Sequence, residues 1–353
     1  MLFIHQRIAA FSQLGVHLKS LLNDFKTGKI NTVFADDVMQ AALSSNPWFT
    51  KDNIHLMLES IAEMLDNSNL EKILSTYPLL GKNQQAKTVA VIMAGNIPLV
   101  GFQDFLHVLL SGHKFLGKLS HQDCFLLPAL AEMLITIEPE FETRISFTEQ
   151  KISNFDAVIA TGSDNSGRYF DYYFRQFPNL IRRNRHGVGI LAGEESMASL
   201  QNLGRDVFSF FGLGCRNVST LFVPLHFDFE LLFRAFESFS TVAEHSKYFN
   251  NYEYNKAIFL VNGVQHLDNG FVLIRRAEDF GSPVAVLHYQ VYSEVENLKE
   301  VLDLNQNKIQ CIVSDNGWYA GSYSFGKAQF PGLTDYADRQ DTIQFLLGLS
   351  SIV

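Results

Sequence analysis

The chain has 353 residues, 47% hydrophobic and 18% charged, with 28 Lys+Arg against 37 Asp+Glu and a formal net charge of -9. At roughly 150 residues per domain, this length predicts about two domains, each able to bury its own core. The apolar content, with 31 Phe spread along the chain, excludes a disordered polymer, and the acidic balance excludes nucleic acid as a partner because its phosphates would be repelled.

Residues 1–80 read as a helical N-terminal segment packed on the first of two lobes. Ile4, Ile8, Phe11, Leu18, Leu21 and Phe25 recur near helical spacing. Thr50 is an N-cap candidate for a second stretch carrying Ile54, Met57, Leu58, Ile61 and Leu65. No basic region leads into a long apolar run at residues 1–7, so no signal peptide is expected. The most apolar window, 97–119, carries Asp104, His107, His113, Lys114 and Lys118, a load that a bilayer span would not tolerate. From Lys87 onward, short β-branched runs alternate with helical patterns, the signature of parallel strands joined by crossovers. The clearest unit is a strand over 88–94, the turn Gly95-Asn96-Ile97-Pro98, a helix over 99–110 and a strand over 114–119. Pro98 suits the first helical turn and Gly112 the exit. Further strands are predicted at 156–160, 188–192, 219–223, 257–261, 271–274, 284–292 and 310–313. The basic run Arg182-Arg183-Asn184-Arg185-His186-Gly187 reads as a linker, more a solvated face than a phosphate site. The expected architecture is α/β, with lobes at 81–187 and 188–320 and a C-terminal return segment at 321–353.

Three loops could carry chemistry. Gly95-Asn96-Ile97-Pro98 lies where a strand gives way to a helix, at the edge where open α/β sheets bind ligands. Its Asn is either a donor to an oxyanion or cofactor phosphate, or a capping residue in a tight turn. Thr161-Gly162-Ser163-Asp164-Asn165-Ser166-Gly167-Arg168 follows another strand. Its small residues would let backbone N–H groups approach a pyrophosphate, although it matches neither the Walker pattern nor G-x-G-x-x-G. Phe211-Gly212-Leu213-Gly214-Cys215-Arg216-Asn217 sets a cysteine beside glycine, open to substrate, with a neighbouring Arg to favour the thiolate. The other cysteines, Cys124 and Cys311, sit in apolar runs and read as core residues. Three widely spaced cysteines fit neither a disulfide framework nor a zinc site, which points to a reducing, cytoplasmic compartment. The eleven His show no ligand spacing, so no metal site is expected.

In this order the motifs resemble the aldehyde dehydrogenase superfamily, specifically its acyl-CoA reductase branch, the fatty-acid reductase family of the bacterial luminescence system. The resemblance spans about residues 87–347. It implies an oxyanion-hole role for Asn96, and a ribose or 2′-phosphate contact for Lys118 in Lys118-Leu119-Ser120. Gly162, Ser163 and Gly167 correspond to the loop under the cofactor pyrophosphate, and Cys215 to the nucleophile. Glu278-Asp279-Phe280-Gly281-Ser282-Pro283-Val284 resembles the segment whose Glu holds the nicotinamide ribose, with Phe280 beside it. Ser282 is an insertion relative to that pattern. The resemblance thus assigns nicotinamide cofactor to the 81–187 lobe and the nucleophile to the 188–320 lobe.

Hydrolytic members carry a water-activating Glu upstream of the nucleophile. Here residues 180–191, where it would fall, contain no Asp or Glu, and Glu194 and Glu195 read as part of an exposed turn. That absence suits an enzyme that exchanges an acyl group between thiols and reduces it. The resemblance therefore implies reduction of an acyl-CoA or acyl-protein thioester to the aldehyde, with NADPH (or NADH) as cofactor and CoA as leaving group. An acyl-transferring partner protein and self-association into a homo-oligomer are compatible with it. Phe208-Ser209-Phe210-Phe211 reads as either core packing or the lining of an acyl tunnel. The rival readings are a cofactor-free thiol acyltransferase, a non-catalytic binding member of the fold, and reduction of an acyl phosphate.

Overall fold

A computed structural model describes residues 2–82, 85–162 and 164–349. It separates into two compact units, Met1–Arg183 with Phe330–Val353, and Asn184–Gln329.

The first unit opens with helices α1 (Ile4–Lys26), α2 (Asp36–Ser45), α3 (Lys51–Met64) and α4 (Asn67–Thr76). α1 buries Ile4, Ile8, Phe11, Leu14, Leu18 and Leu22, the stripe expected from its spacing. Thr50 caps α3, its hydroxyl accepting from the Asn53 N–H at 3.2 Å. An alternating core follows: β1 (Thr88–Ile92), α5 (Phe102–Leu110), β2 (Lys114–Lys118), α6 (Leu126–Ile137), β3 (Ile145–Thr148), β4 (Ala157–Thr161), α7 (Asp164–Phe174) and β5 (Asn179–Arg182). The five strands are all parallel, in the order β3-β2-β1-β4-β5. β1 and β4 read Val-Ala-Val and Ala-Val-Ile-Ala and are buried on both faces, as central strands of a covered parallel sheet must be. The chain runs outward from β1 through β2 to β3, then crosses back to β4 on the other side of β1. The gap between β1 and β4 is thus a topological switch point, the place where such sheets leave a crevice at their carboxyl ends.

Pro98 does not begin α5. The helix starts at Phe102, because Leu99, at φ +55°, turns its N–H onto the Asp123 carboxylate (2.7 Å) instead of into a helical ladder. Gly112 does end the segment, at φ +81°. β3 and β5 were not anticipated, since one is a four-residue edge strand with mixed burial and the other ends inside the basic run.

The second unit contains β6 (His186–Ile190), α8 (Met197–Phe208), β7 (Val218–Pro224), α9 (Phe229–Phe236), α10 (Ser246–Val261), β8 (Leu267–Asp268), β9 (Leu273–Arg276), β10 (Val286–Tyr292), α11 (Val295–Leu304), β11 (Ile309–Ser314) and β12 (Tyr323–Ser324). Its sheet has the order β12-β11-β6-β7-β10-β9-β8, parallel except for β8, which runs antiparallel to β9. The strand expected at 257–261 is instead the end of α10. Tyr248, Tyr252, Asn255 and Phe259 form its buried face at helical spacing, while Leu260 and Val261 remain exposed, so the apolar run is not a core strand.

The boundary between units falls after Arg183 rather than at 187, because β5 carries Arg182 in one sheet and β6 begins at His186 in the other. The second unit extends to Gln329, beyond 320, since β12 pairs with β11 and the Asp206 carboxylate accepts from the N–H groups of Gly326 (2.7 Å) and Ala328 (2.9 Å).

The C-terminal segment, with α12 (Thr342–Gly348), packs in the first unit. Two buried imidazoles hold it: Nε2 of His107 meets the Leu333 carbonyl at 3.0 Å, and Nε2 of His113 meets that of Leu346 at 2.9 Å. Nδ1 of His113 accepts from the Lys87 N–H at 3.1 Å, so this ring is neutral with its proton on Nε2. Burial lowers both pKa values, that of His107 from 6.5 to about 4. Folding therefore opposes protonation, and the stability supplied by neutral His107 is complete above pH 6.5 and lost as the pH falls toward 4. The expected span is roughly 3 kcal/mol at about 1.4 kcal/mol per pH unit. Urea unfolding of the native protein and of His107→Gln across this range tests it. A stability difference between them that does not shrink with falling pH would contradict the assignment.

Candidate active site

Cys215 is exposed on the turn that leads into β7 at the amino edge of the second unit's sheet. α8 ends at Phe208, after which Phe210 (φ +51°), Phe211 (φ +56°) and Gly212 (φ +75°) take left-handed conformations in succession. For the two phenylalanines this costs about 1–2 kcal/mol each, so packing must hold them. Phe211 lies against His245 with ring centroids 4.3 Å apart, and both phenylalanines are buried. Asn217, 2% exposed, secures the turn from beneath. Its Oδ1 accepts from the Gly214 N–H at 2.8 Å, and its Nδ2 donates to the carbonyls of Asp206 (3.0 Å) and Ser209 (2.7 Å) at the end of α8. A single amide thus ties the helix end to the residue before the thiol.

Arg216 does not project into solvent. Its guanidinium lies 4.8 Å from the centre of the Tyr323 ring, and Nε donates to the Ala328 carbonyl. Its backbone carbonyl accepts from Cys311 Sγ at 3.5 Å. The Arg216 cation therefore sits within the unit beside the thiol turn, and the charges of Cys311, Tyr323 and Cys215 raise its pKa against the opposing effect of burial. Asp206 is buried, and this pushes its pKa up to about 7 against the pull of its two N–H donors. Cys311 is a core residue in β11, as expected. Cys124 is only half-buried, in the turn before α6, so it is not the core residue that its apolar neighbours suggested.

Between β9 and β10 the chain runs back across the sheet face without a helix. The Glu278 carbonyl accepts from Gln290 at 3.1 Å, and that of Asp279 from Thr220 (3.2 Å) and His288 Nδ1 (3.0 Å). The Phe280 carbonyl accepts from Ser219 (2.7 Å) and Thr220 (2.8 Å). Gly281 lies so close to His186 that a Cβ would stand 2.5 Å from the ring. Glu278 is exposed. Phe280 is not available as a cofactor-facing ring. It is 4% exposed and packs among Val188, Phe222 and Leu298, because the crossover presents its carbonyl to β7 and turns its side chain inward. Glu194 is exposed, but Glu195 is buried and spends its carboxylate on the N–H groups of Ala192 and Gly193, so it belongs to a closed turn rather than an exposed one.

In the first unit, the register Ile92↔Lys118 and Ile92↔Ala160 brings three expected elements to one carboxyl edge. Asn96 is exposed there after β1. Lys118 ends β2 with its ammonium donating to the carbonyls of Glu149 (2.7 Å) and Leu119 (3.2 Å). Ser120 abuts Gly95, where a Cβ would lie 2.5 Å from its Oγ. After β4, the Gly162 N–H donates to the Arg182 carbonyl at 3.3 Å, and a Cβ at Gly162 would meet Ser166 at 2.8 Å. Ser163 lies outside the described residues. Gly167 is buried under Arg183, where a Cβ would stand 3.3 Å from Cγ. These elements meet at the carboxyl edge where open α/β sheets leave a crevice.

The basic run is dispersed. Arg182 is buried, pairing with Asp104 (2.7 Å) and Thr342 (2.7 Å), whereas Arg183 forms a surface pair with Asp171 (2.6 Å). The sequence gives no sign of the roles of Asn46, Asp123 and Asp206, whose partners are distant in the chain, nor of how Asn217 braces the Cys215 motif it belongs to. Among the described residues, no group of three or more His, Cys, Asp or Glu is placed to hold a metal, and no helix is long and apolar enough to cross a membrane.

Residues 20–173 match the acyl-CoA reductase (LuxC) family. No curated protein matches in sequence. Among solved structures, aldehyde dehydrogenase 21 from Physcomitrella patens, in complex with succinate, superposes with a TM-score of 0.64 at 14% identity, covering 99% of this chain and 85% of its own. An aldehyde dehydrogenase from Mycobacterium tuberculosis, complexed with NAD+, gives 0.56 at 14% identity over 88% and 77%. A Cys-to-Ala mutant of aldehyde dehydrogenase C from Pseudomonas syringae, complexed with NAD+ and octanal, gives 0.57 at 12% identity over 88% and 76%. At such identities the likeness establishes the fold. The chain therefore has an aldehyde-dehydrogenase-like fold, and residues 20–173, less than half of its length, are similar to the acyl-CoA reductase (LuxC) family.

Proposed function

We propose that this protein reduces an acyl thioester to the aldehyde through an acyl-enzyme on Cys215. The observation that carries this reading is an exposed thiol on a turn that Asn217 fastens to α8, with a run lacking Asp and Glu where hydrolytic relatives keep their water-activating base. The Cys215 thiolate attacks the thioester carbonyl, the bond from carbon to the CoA sulfur breaks, and CoA leaves as its thiol after taking a proton from solvent. Asn96 is assigned the side-chain donor to the oxyanion, a contribution of about 10²–10³ in rate. Bound reduced nicotinamide would supply a hydride to the acyl carbon, leaving on Cys215 a thiohemiacetal oxyanion. Its collapse breaks the bond from carbon to Cys215 sulfur, releases the aldehyde and restores the thiolate. Lys118, Ser120, Gly162, Ser163 and Gly167 are assigned to the cofactor in the first unit, with NADPH preferred, and Glu278 to its nicotinamide ribose. Phe280 acts by packing the segment that presents Glu278.

Phe208, Phe211, Tyr248, Val272 and Pro283, together with Ser219 and Ser282, help line a small pocket of about 30 Å³ within the second unit. That volume is too small for an alkyl chain, so the long-chain substrate is proposed from the family resemblance, and the octanal bound by the Pseudomonas syringae enzyme is a ligand of that kind. NADPH oxidation measured with acyl-CoA of increasing chain length, beside the matching acyl phosphates, tests the reading. The expected result is turnover with thioesters that rises with chain length. CoA release without NADPH oxidation would select an acyltransferase instead, and preference for acyl phosphates would replace the substrate class.

A further inference from the structure

We propose that Asn46, at the end of α2, is a positioning residue for Asn96, so that the N-terminal helical segment takes part in catalysis. The inference rests on the reading of Asn96 as oxyanion donor. Asn46 is 1% exposed, and its side chain does two things at once. Oδ1 accepts from the Trp48 N–H at 2.9 Å, which fixes the amide orientation, and Nδ2 donates to the Gly95 carbonyl at 2.8 Å. That carbonyl belongs to the peptide joining Gly95 to Asn96. The far end of the turn is held as well: the Asp123 carboxylate accepts from the Leu99 N–H at 2.7 Å, with Leu99 at φ +55°. Between these two clamps, Gly95 packs against Ser120 with no room for a Cβ. Asn96 is exposed at the sheet edge while the backbone on both sides of it is fixed by buried side chains from other elements.

Such an arrangement sets the direction of the Asn96 amide before substrate arrives, which is the condition for a donor to stabilise charge without reorganising. Removing the Gly95 contact lets the peptide rotate, and a displacement near 1 Å can cost about a hundredfold in rate.

The test is a double-mutant cycle read by rapid-quench CoA release from acyl-CoA. Asn46→Ala is expected to slow acylation roughly tenfold to a hundredfold in the native background, and less than about twofold in an Asn96→Ala background, with NADPH affinity unchanged. Asn46→Asp keeps the acceptor for Trp48 and so preserves the end of α2, but its carboxylate repels the Gly95 carbonyl. Its rate relative to the native protein is expected to recover as the pH falls, because the protonated acid can donate to that carbonyl. Equal losses in both backgrounds, or no loss in the native one, would overturn the proposal. Native-like acylation by Asn96→Ala removes the oxyanion role and the proposal with it, and a native protein that releases no CoA overturns the thioester reading and both roles together.

Discussion

Cys215→Ala is expected to abolish acyl-dependent NADPH oxidation, with a loss on the order of 10⁴ or more, because no second nucleophile can replace the acyl-enzyme route. NADPH binding, followed by the rise in apparent stability that a native-state ligand causes, should persist. Cys124→Ala should leave turnover intact, since its half-buried sulfur only faces the His121 carbonyl at 3.9 Å. Cys311→Ala is expected to cost stability of about 1 kcal/mol by truncating a core residue in β11, with turnover preserved. Residual NADPH oxidation in Cys215→Ala, at a rate near that of the native protein, would move the nucleophile elsewhere.

Asp104→Ala is expected to destabilise the first unit by about 3–5 kcal/mol. Asp104 lies in α5 and Arg182 at the end of β5, with side chains only 7% and 6% exposed and 2.7 Å apart. Removing the carboxylate strands a buried guanidinium whose remaining side-chain partner is Thr342, the first residue of α12. Helix, sheet edge and C-terminal segment therefore loosen together. The paired change Asp104→Leu with Arg182→Met should cost far less, since neither charge is then left buried alone. Thermal or urea unfolding of the three variants decides the matter: if Asp104→Ala costs under 1 kcal/mol, water must reach the pair and it is not a buried one.

The contrast between Arg182 and its neighbours shows where reading the chain stops. Arg182, Arg183 and Arg185 look alike as a basic run, yet Arg182 is buried in an ion pair while Arg183 is on the surface with Asp171. Charge is a property of the residue, whereas its environment depends on which strand it ends and what packs above. The same holds for residues 257–261, whose apolar run suits a strand or a helix until the buried spacing of Tyr248, Tyr252, Asn255 and Phe259 is seen in three dimensions. Phe280 has a motif that suggests a cofactor contact and a crossover that turns its ring into the core.

What the sequence determined by itself is the class of fold, the alternation of strands and crossovers, and the loops where chemistry can occur. Those follow from local causes: hydrophobic period, glycine and proline at turns, and a cysteine flanked by glycine. What only the tertiary structure decided is how the loops are held. Asp206 on residues 326–328, and Asn46 and Asp123 on the Asn96 turn, act through hydrogen bonds to segments distant in the chain, while Asn217 gathers the end of α8 and Gly214 within one local turn. A buried polar side chain is stabilising only where its partners converge, and that convergence exists in no stretch of sequence short enough to read. Each of the two units thus carries a turn braced by buried side chains, Asn96 on one and Cys215 on the other.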